Sequence, residues 1–127
     1  RALDHPDGEV RRYAAYAISL IGPKAESAVP RLTHRLDDAH MAYMAARALG
    51  EMGPAARGAV PKMAALLRSS DNGQRAEAAV ALARLQPLSD ETIRAIERLQ
   101  NDEVDFVRNA ARKAVQALQS ADKPPTR

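Results

Sequence analysis

Three histidines supply the imidazoles of this sequence, and their spacing does not gather them. His34 and His40 stand six apart, so on a helix they face different ways, and His5 precedes Pro6 as a turn residue. No His-x-x-x-His pair sets two nitrogens on one helical face, and no cysteine supplies a thiolate. A serine nucleophile would need a strained elbow of the Gly-x-Ser-x-Gly kind, and phosphate binding a glycine-rich loop; neither is present. The paired carboxylates Asp37 and Asp38 fall in a turn, where solvation is the expected state. The sequence therefore assigns no catalytic residue, no cofactor and no metal.

What recurs instead is arginine and tyrosine. Arg11, Arg75 and Arg108 come at one position of a longer pattern, with Ala42 as the gap in that series. Each follows an aspartate in a turn, Asp7, Asp71, and Asp102 or Asp105. A guanidinium fork there is expected to meet a turn carboxylate or a helix-end carbonyl, forming a structural ladder between repeats and not a phosphate stripe. On the same helices the register leaves two columns outside the packing. These are Arg12, Tyr43, Ala76, Asn109 and Tyr16, Arg47, Val80, Lys113. Tyrosine and arginine are enriched at binding hot spots, so Arg12, Tyr16, Tyr43 and Arg47 form the candidate binding cluster, with Asn109 and Lys113 at its far end.

The elements that carry these residues repeat. Ile21-Gly22-Pro23 returns as Met52-Gly53-Pro54, and Ala28-Val29-Pro30 as Ala59-Val60-Pro61, each at an offset of 31. A fixed period of this length marks a stacked array. One face runs Val10, Tyr13, Ala14, Ala17, Ile18, Ile21, and corresponds to Met41, Met44, Ala45, Ala48, Leu49, Met52. It continues as Gln74, Glu77, Ala78, Ala81, Leu82, Leu85 and ends as Val107, Ala110, Ala111, Ala114, Val115, Leu118. Steps of three and four are those of a helix. A second helix type lies between, carrying Leu32 and Leu36, Met63 and Leu67, and Ile93 and Ile96. Gly22 and Gly53 read as left-handed closures of the first type. Pro30 and Pro61 suit the first turn of the second, and Ser89 reads as an N-cap. The spacing predicts helices over roughly 9–21, 25–37, 40–52, 58–68, 73–85, 90–100 and 104–119, and no strand. Residues 1–119 are read as one repeat domain with a truncated first unit, and 120–127 as a flexible tail. Arg1-Ala2-Leu3 reads as the last turn of a helix, so the natural chain is expected to continue upstream or to pack this end on another copy.

The pattern resembles the HEAT family, in particular the short HEAT-like repeats of phycobilisome lyases. The residues carrying this are Glu9-Val10-Arg11, Ala14-Ala15-x-Ala17-Ile18, Ile21-Gly22-Pro23 and their second copy Ala45-Ala46-x-Ala48-Leu49-Gly50-x-Met52-Gly53-Pro54. Met41-Ala42 departs from the usual Val-Arg, and Gln86 replaces the helix-ending glycine. The resemblance implies an all-α fold, a right-handed α-solenoid of about four stacked two-helix repeats. It also implies that the Ala-rich helices line the concave surface, which would place the Arg12, Tyr16, Tyr43 and Arg47 cluster there. HEAT-like di-iron hydroxylases need His-Glu pairs, which are absent.

Hydrophobic residues make up 46% of the chain but aromatic ones only 3%, so the core is built of small side chains. No apolar run approaches the ~20 residues of a membrane span. The net charge of +3 is spread among interspersed acids and bases, and only three tyrosines and no tryptophan are present, so nucleic acid is not the expected partner. The expected function is a protein–protein interaction scaffold that is not an enzyme, a free module or part of a larger protein, with self-association through the uncapped N-terminal repeat. The alternative is an enzyme or enzyme subunit of the bilin lyase or DNA glycosylase type, which needs a desolvated acid or an aromatic cage in a deep concave pocket. Compartment stays open, with the cytoplasm slightly favoured.

Overall fold

The computed structural model describes residues 2–122, among which seven α-helices and no strand are found. Four are Ala-rich: α1 (Gly8–Ile21), α3 (Ala42–Met52), α5 (Asn72–Ala83) and α7 (Asp105–Asp122). Three shorter ones connect them: α2 (Val29–Arg35), α4 (Val60–Ala65) and α6 (Asp90–Arg98). The Ala-rich helices pack in series, α1 on α3, α3 on α5 and α5 on α7, and make one layer. Each connecting helix packs on the Ala-rich helix that follows it, so α2, α4 and α6 make a second layer. The chain is an all-α solenoid. Among the described residues no helix is long and apolar enough to cross a membrane.

Local chemistry sets the helix ends. Asp7 accepts the Glu9 N–H, Asp71 that of Gln74 and Ser89 that of Thr92, each satisfying a free amide of a first turn. Gly22 and Gly53 end α1 and α3 with φ of 70° and 68°. Their ψ values of −140° and −144° lie outside the expected left-handed helical basin, in a region open essentially to glycine alone. This conformation leads into 3-10 turns, Gly22–Ala28 and Gly53–Ala59, before the next helix begins. The connecting helices therefore start later than their apolar spacing suggests, although Pro30 and Pro61 do occupy their first turns. The third unit, with Gln86 in place of glycine, has no such 3-10 turn ahead of α6. Helix α7 runs through Asp122, three residues past the expected end at 119; residues 123–127 of the expected tail lie outside the described residues.

Small residues form the seams. Ala15, Ala45, Ala46, Ala78, Ala79 and Ala111 are fully buried, while Leu32, Met63 and Ile96 fill the space beneath the second layer. Helices α3 and α5 approach closely: a Cβ on Gly50 would come within 2.8 Å of the Ala81 Cβ. The two ends differ. At α1, Leu20 is 71% and Ile21 55% exposed, whereas Met52, Leu85 and Leu118, which correspond to Ile21, are buried. At α7, exposed Arg112 and Gln116 stand where α3 has Ala46 and Gly50, so this end shows a polar face.

Candidate binding face

The three arginines reach the turns that precede the Ala-rich helices. Arg11 Nε donates to Asp38 Oδ2 at 3.0 Å and its Nη1 to the carbonyls of His5 and Pro6 at 2.7 and 3.0 Å. Arg75 forks onto Asp102, 3.0 and 3.1 Å, and also holds the Ser69 carbonyl at 2.8 Å. Arg108 donates to the Asp102 carbonyl at 2.6 Å and pairs with Asp105. The carboxylate that meets Arg11 or Arg75 belongs to the turn of the next unit; Asp7 and Asp71, expected as partners, cap helices instead. Asp102 joins two rungs. The Arg75 hydrogen bond holds its carboxyl below the usual carboxylate range. Ala42, the gap in the series, is buried.

The remaining candidates divide into two groups on the outer side of the Ala-rich layer. Arg12 and Tyr16 line a small open cavity of about 220 Å³ with Tyr13 and Met44. Arg12 is paired with Glu9 at 3.0 Å. Tyr43 and Arg47 belong to a second group centred on Glu77 of α5, a residue that sequence reasoning placed only in the packing face. Glu77 is half-buried. Burial pushes its carboxyl up, against the Arg47 guanidinium and a hydrogen bond from Tyr43, which pull it back. Burial and the Glu77 charge raise the Tyr43 hydroxyl in turn. Beside them Glu51 pairs with Arg84 at 2.5 Å. The signal for Glu77 was present in the sequence, because it is the only charge in the column Tyr13, Met44, Glu77, Ala110.

Asn109 and Lys113 are exposed on α7 but are not continuous with Tyr43 and Arg47. Ala76 and Val80, half-buried on α5, occupy the intervening positions. Asn109 accepts from Arg112 at 3.1 Å. Lys113 lines a second small cavity, about 200 Å³, with Val80 and Arg84.

Comparison with known proteins agrees with this architecture. A family model describing HEAT repeats matches residues 37–119, and one describing the PBS lyase HEAT-like repeat matches residues 10–38. The chain belongs to the HEAT-repeat family. The crystal structure of an engineered protein superposes with a TM-score of 0.70 at 26% identity, over 94% of this chain and 60% of the other, so the chain spans about three fifths of that protein's length. No curated protein matches.

Proposed function

We propose that this HEAT-repeat chain is a protein-interaction scaffold that receives an acidic partner segment along the outer side of its Ala-rich layer. One observation carries the reading: Tyr16 and Tyr43 stay 46% and 41% exposed beside Arg12 and Arg47, with Tyr13, 66% exposed, next to Tyr16 in the same small cavity. Arginines flank both tyrosines. Of the acids nearby, Glu9 is paired with Arg12 and Glu51 with Arg84, and burial pushes the Glu77 carboxyl above its ordinary value beside Arg47. Arg12, half exposed in its pair with Glu9, and Arg47 are the groups a partner carboxylate would meet, with the phenol rings as anchors. Helical arrays of this family host unrelated functions, so the argument rests on the site and not on the fold.

The lyase-like or glycosylase-like alternative has less support. Among the described residues Glu77 is the one desolvated acid on this side, and it lines neither of the two small cavities found there; Tyr13 and Tyr16 line one of these, but at about 220 Å³ and open to solvent it is not a deep pocket. The test is selection of displayed peptides against the chain. Selected peptides should be acidic and should lose binding on Tyr16→Ala, Tyr43→Ala and Arg47→Gln. Selection of peptides indifferent to all three would refute the proposal.

A second reading, self-association, has its own support in the exposed Leu20 and Ile21. The polar α7 face offers no small-residue seam, so two copies would have to meet α1 to α1, about a two-fold axis. Sedimentation of wild type against Ile21→Arg decides this, and a monomer at high concentration rejects it.

A further inference from the structure

We infer that the second layer carries a separate docking site, in the groove between α4 and α6, for an acidic peptide turn. The argument begins with the interface one unit earlier. There the 3-10 turn Gly53–Ala59 packs on the turn Gly22–Ala28 and on α2. It buries Ala56 and Ala59 completely, and Lys62 clasps Asp37 at 2.7 Å.

The next interface departs from this in shape and in charge. At the offset of 33, Ser89, Thr92 and Ala95 stand where Ala56, Ala59 and Lys62 would be. The 3-10 turn is missing, Ser89 is exposed and Thr92 half-buried. Among the described residues no 3-10 turn of the third unit packs on α4 as Gly53–Ala59 packs on α2. What is left is a groove of about 810 Å³, floored by Val60, Pro61, Ala64, Leu88 and Ala95.

The charges on its α4 side are inverted. Arg57 and Arg68 occupy the positions that Glu26 and Asp37 hold one unit earlier. The clasp is gone, since Arg68 now shares the groove with Ala95. Among the described residues Arg68 has no ion pair, and Arg57 has only a 3.4 Å bond to the Pro87 carbonyl. An apolar slot beside two uncommitted guanidiniums is complementary to a short turn with small apolar side chains three residues apart and a carboxylate aimed at Arg68. The chain itself shows that such a turn fits its own layer, in Ala56 and Ala59. Glu91 on the α6 wall confines the carboxylates to the arginine side. Residues 123–127 carry Lys123 and Arg127, the wrong sign to fill the groove.

The test uses two labelled peptides, one copying residues 53–62 and one the same with Lys62→Glu, titrated against the 127-residue chain by fluorescence anisotropy. The glutamate peptide is expected to bind at least tenfold more tightly than its lysine parent. Arg68→Glu in the protein should invert the preference, and Ala95→Trp should abolish binding of both. Tyr43→Ala should change neither. All these positions lie outside the buried core, and an unchanged helical melting curve checks each variant. Equal affinity of the two peptides, no binding at millimolar peptide, or loss of binding on Tyr43→Ala would each overturn the inference.

Discussion

The same substitution at three glycines should act in three different ways. At Gly50 an alanine gains helix propensity, about 1 kcal/mol in a helix interior. Its Cβ, however, would sit 2.8 Å from the Ala81 Cβ and 3.0 Å from the Ala81 Cα. Neither atom can rotate away, so α3 and α5 must separate along a seam that also buries Ala46 and Ala78. Overpacking of a rigid contact costs about 3 kcal/mol at the upper end, so the net loss is about 2 kcal/mol, or a fall in Tm of roughly 6–10 °C. At Gly53 nothing lies within 4 Å of a new Cβ, yet φ is 68° with ψ −144°. There the penalty is conformational, again about 2 kcal/mol. Gly58 has the same open space and no positive φ, so Gly58→Ala should be neutral or gain up to about 1 kcal/mol through the unfolded chain. Urea and thermal unfolding of the three variants read this directly. A Gly50→Ala variant more stable than wild type would mean that propensity outweighs the contact, and the tight α3–α5 approach would be wrong.

Three further outcomes are expected. Ala45→Asp places a carboxylate where there is no exposure at all, and should cost more than about 3 kcal/mol; an unchanged melting temperature would reject the register. Asp102 titrates below its ordinary value in the fold, so its stabilising effect is complete above the unfolded carboxylate pKa and disappears as pH falls through the folded one. Asp102→Asn should thus be less stable than wild type at neutral pH, with the gap closing in strong acid; a gap constant with pH would break the link to Arg75. Glu77 has the opposite sign: its folded pKa is raised, so ionisation costs stability as pH climbs through that value. Glu77→Gln should gain on wild type from acid to neutral pH, and unfolding curves showing the reverse trend would contradict its desolvation.

The repeat was legible because small residues must recur wherever helices approach closely. Ala45, Ala78 and Ala111 are fully buried, as a shared seam requires. Ala14, on the first Ala-rich helix, is half-buried. What the spacing could not give was backbone detail. The glycine at Gly22 announces a positive φ, but only the fold decides that its ψ leads into a 3-10 turn, which delays α2 to Val29. On the outer side of the Ala-rich layer, register left Tyr16 and Tyr43 outside the packing, as found, but put Tyr13 inside it, where the fold leaves it 66% exposed, and it could not show that Glu77 would draw Tyr43 and Arg47 toward α5. A side chain's partner depends on the neighbouring helix, and one helix's periodicity carries no information about it.

The gap in the arginine series follows the same logic. The residue of the second unit that corresponds to Arg11 and Arg75 is Ala42, and the turn residue that corresponds to Asp38 and Asp102 is Ser69. Cation and carboxylate are missing together. Arg75 and Asp102 keep only 12% and 10% of their side-chain surface in water. Removing one partner of such a pair leaves an uncompensated charge at a cost of several kcal/mol, whereas replacing both is close to neutral. Ser69 shows the replacement at work: its hydroxyl hydrogen-bonds the Gln74 side chain at 2.6 Å and its carbonyl still receives Arg75. The array therefore tolerates a missing rung but not half of one. Arg11→Ala alone should destabilise the chain, and Arg11→Ala with Asp38→Ser should recover most of the loss.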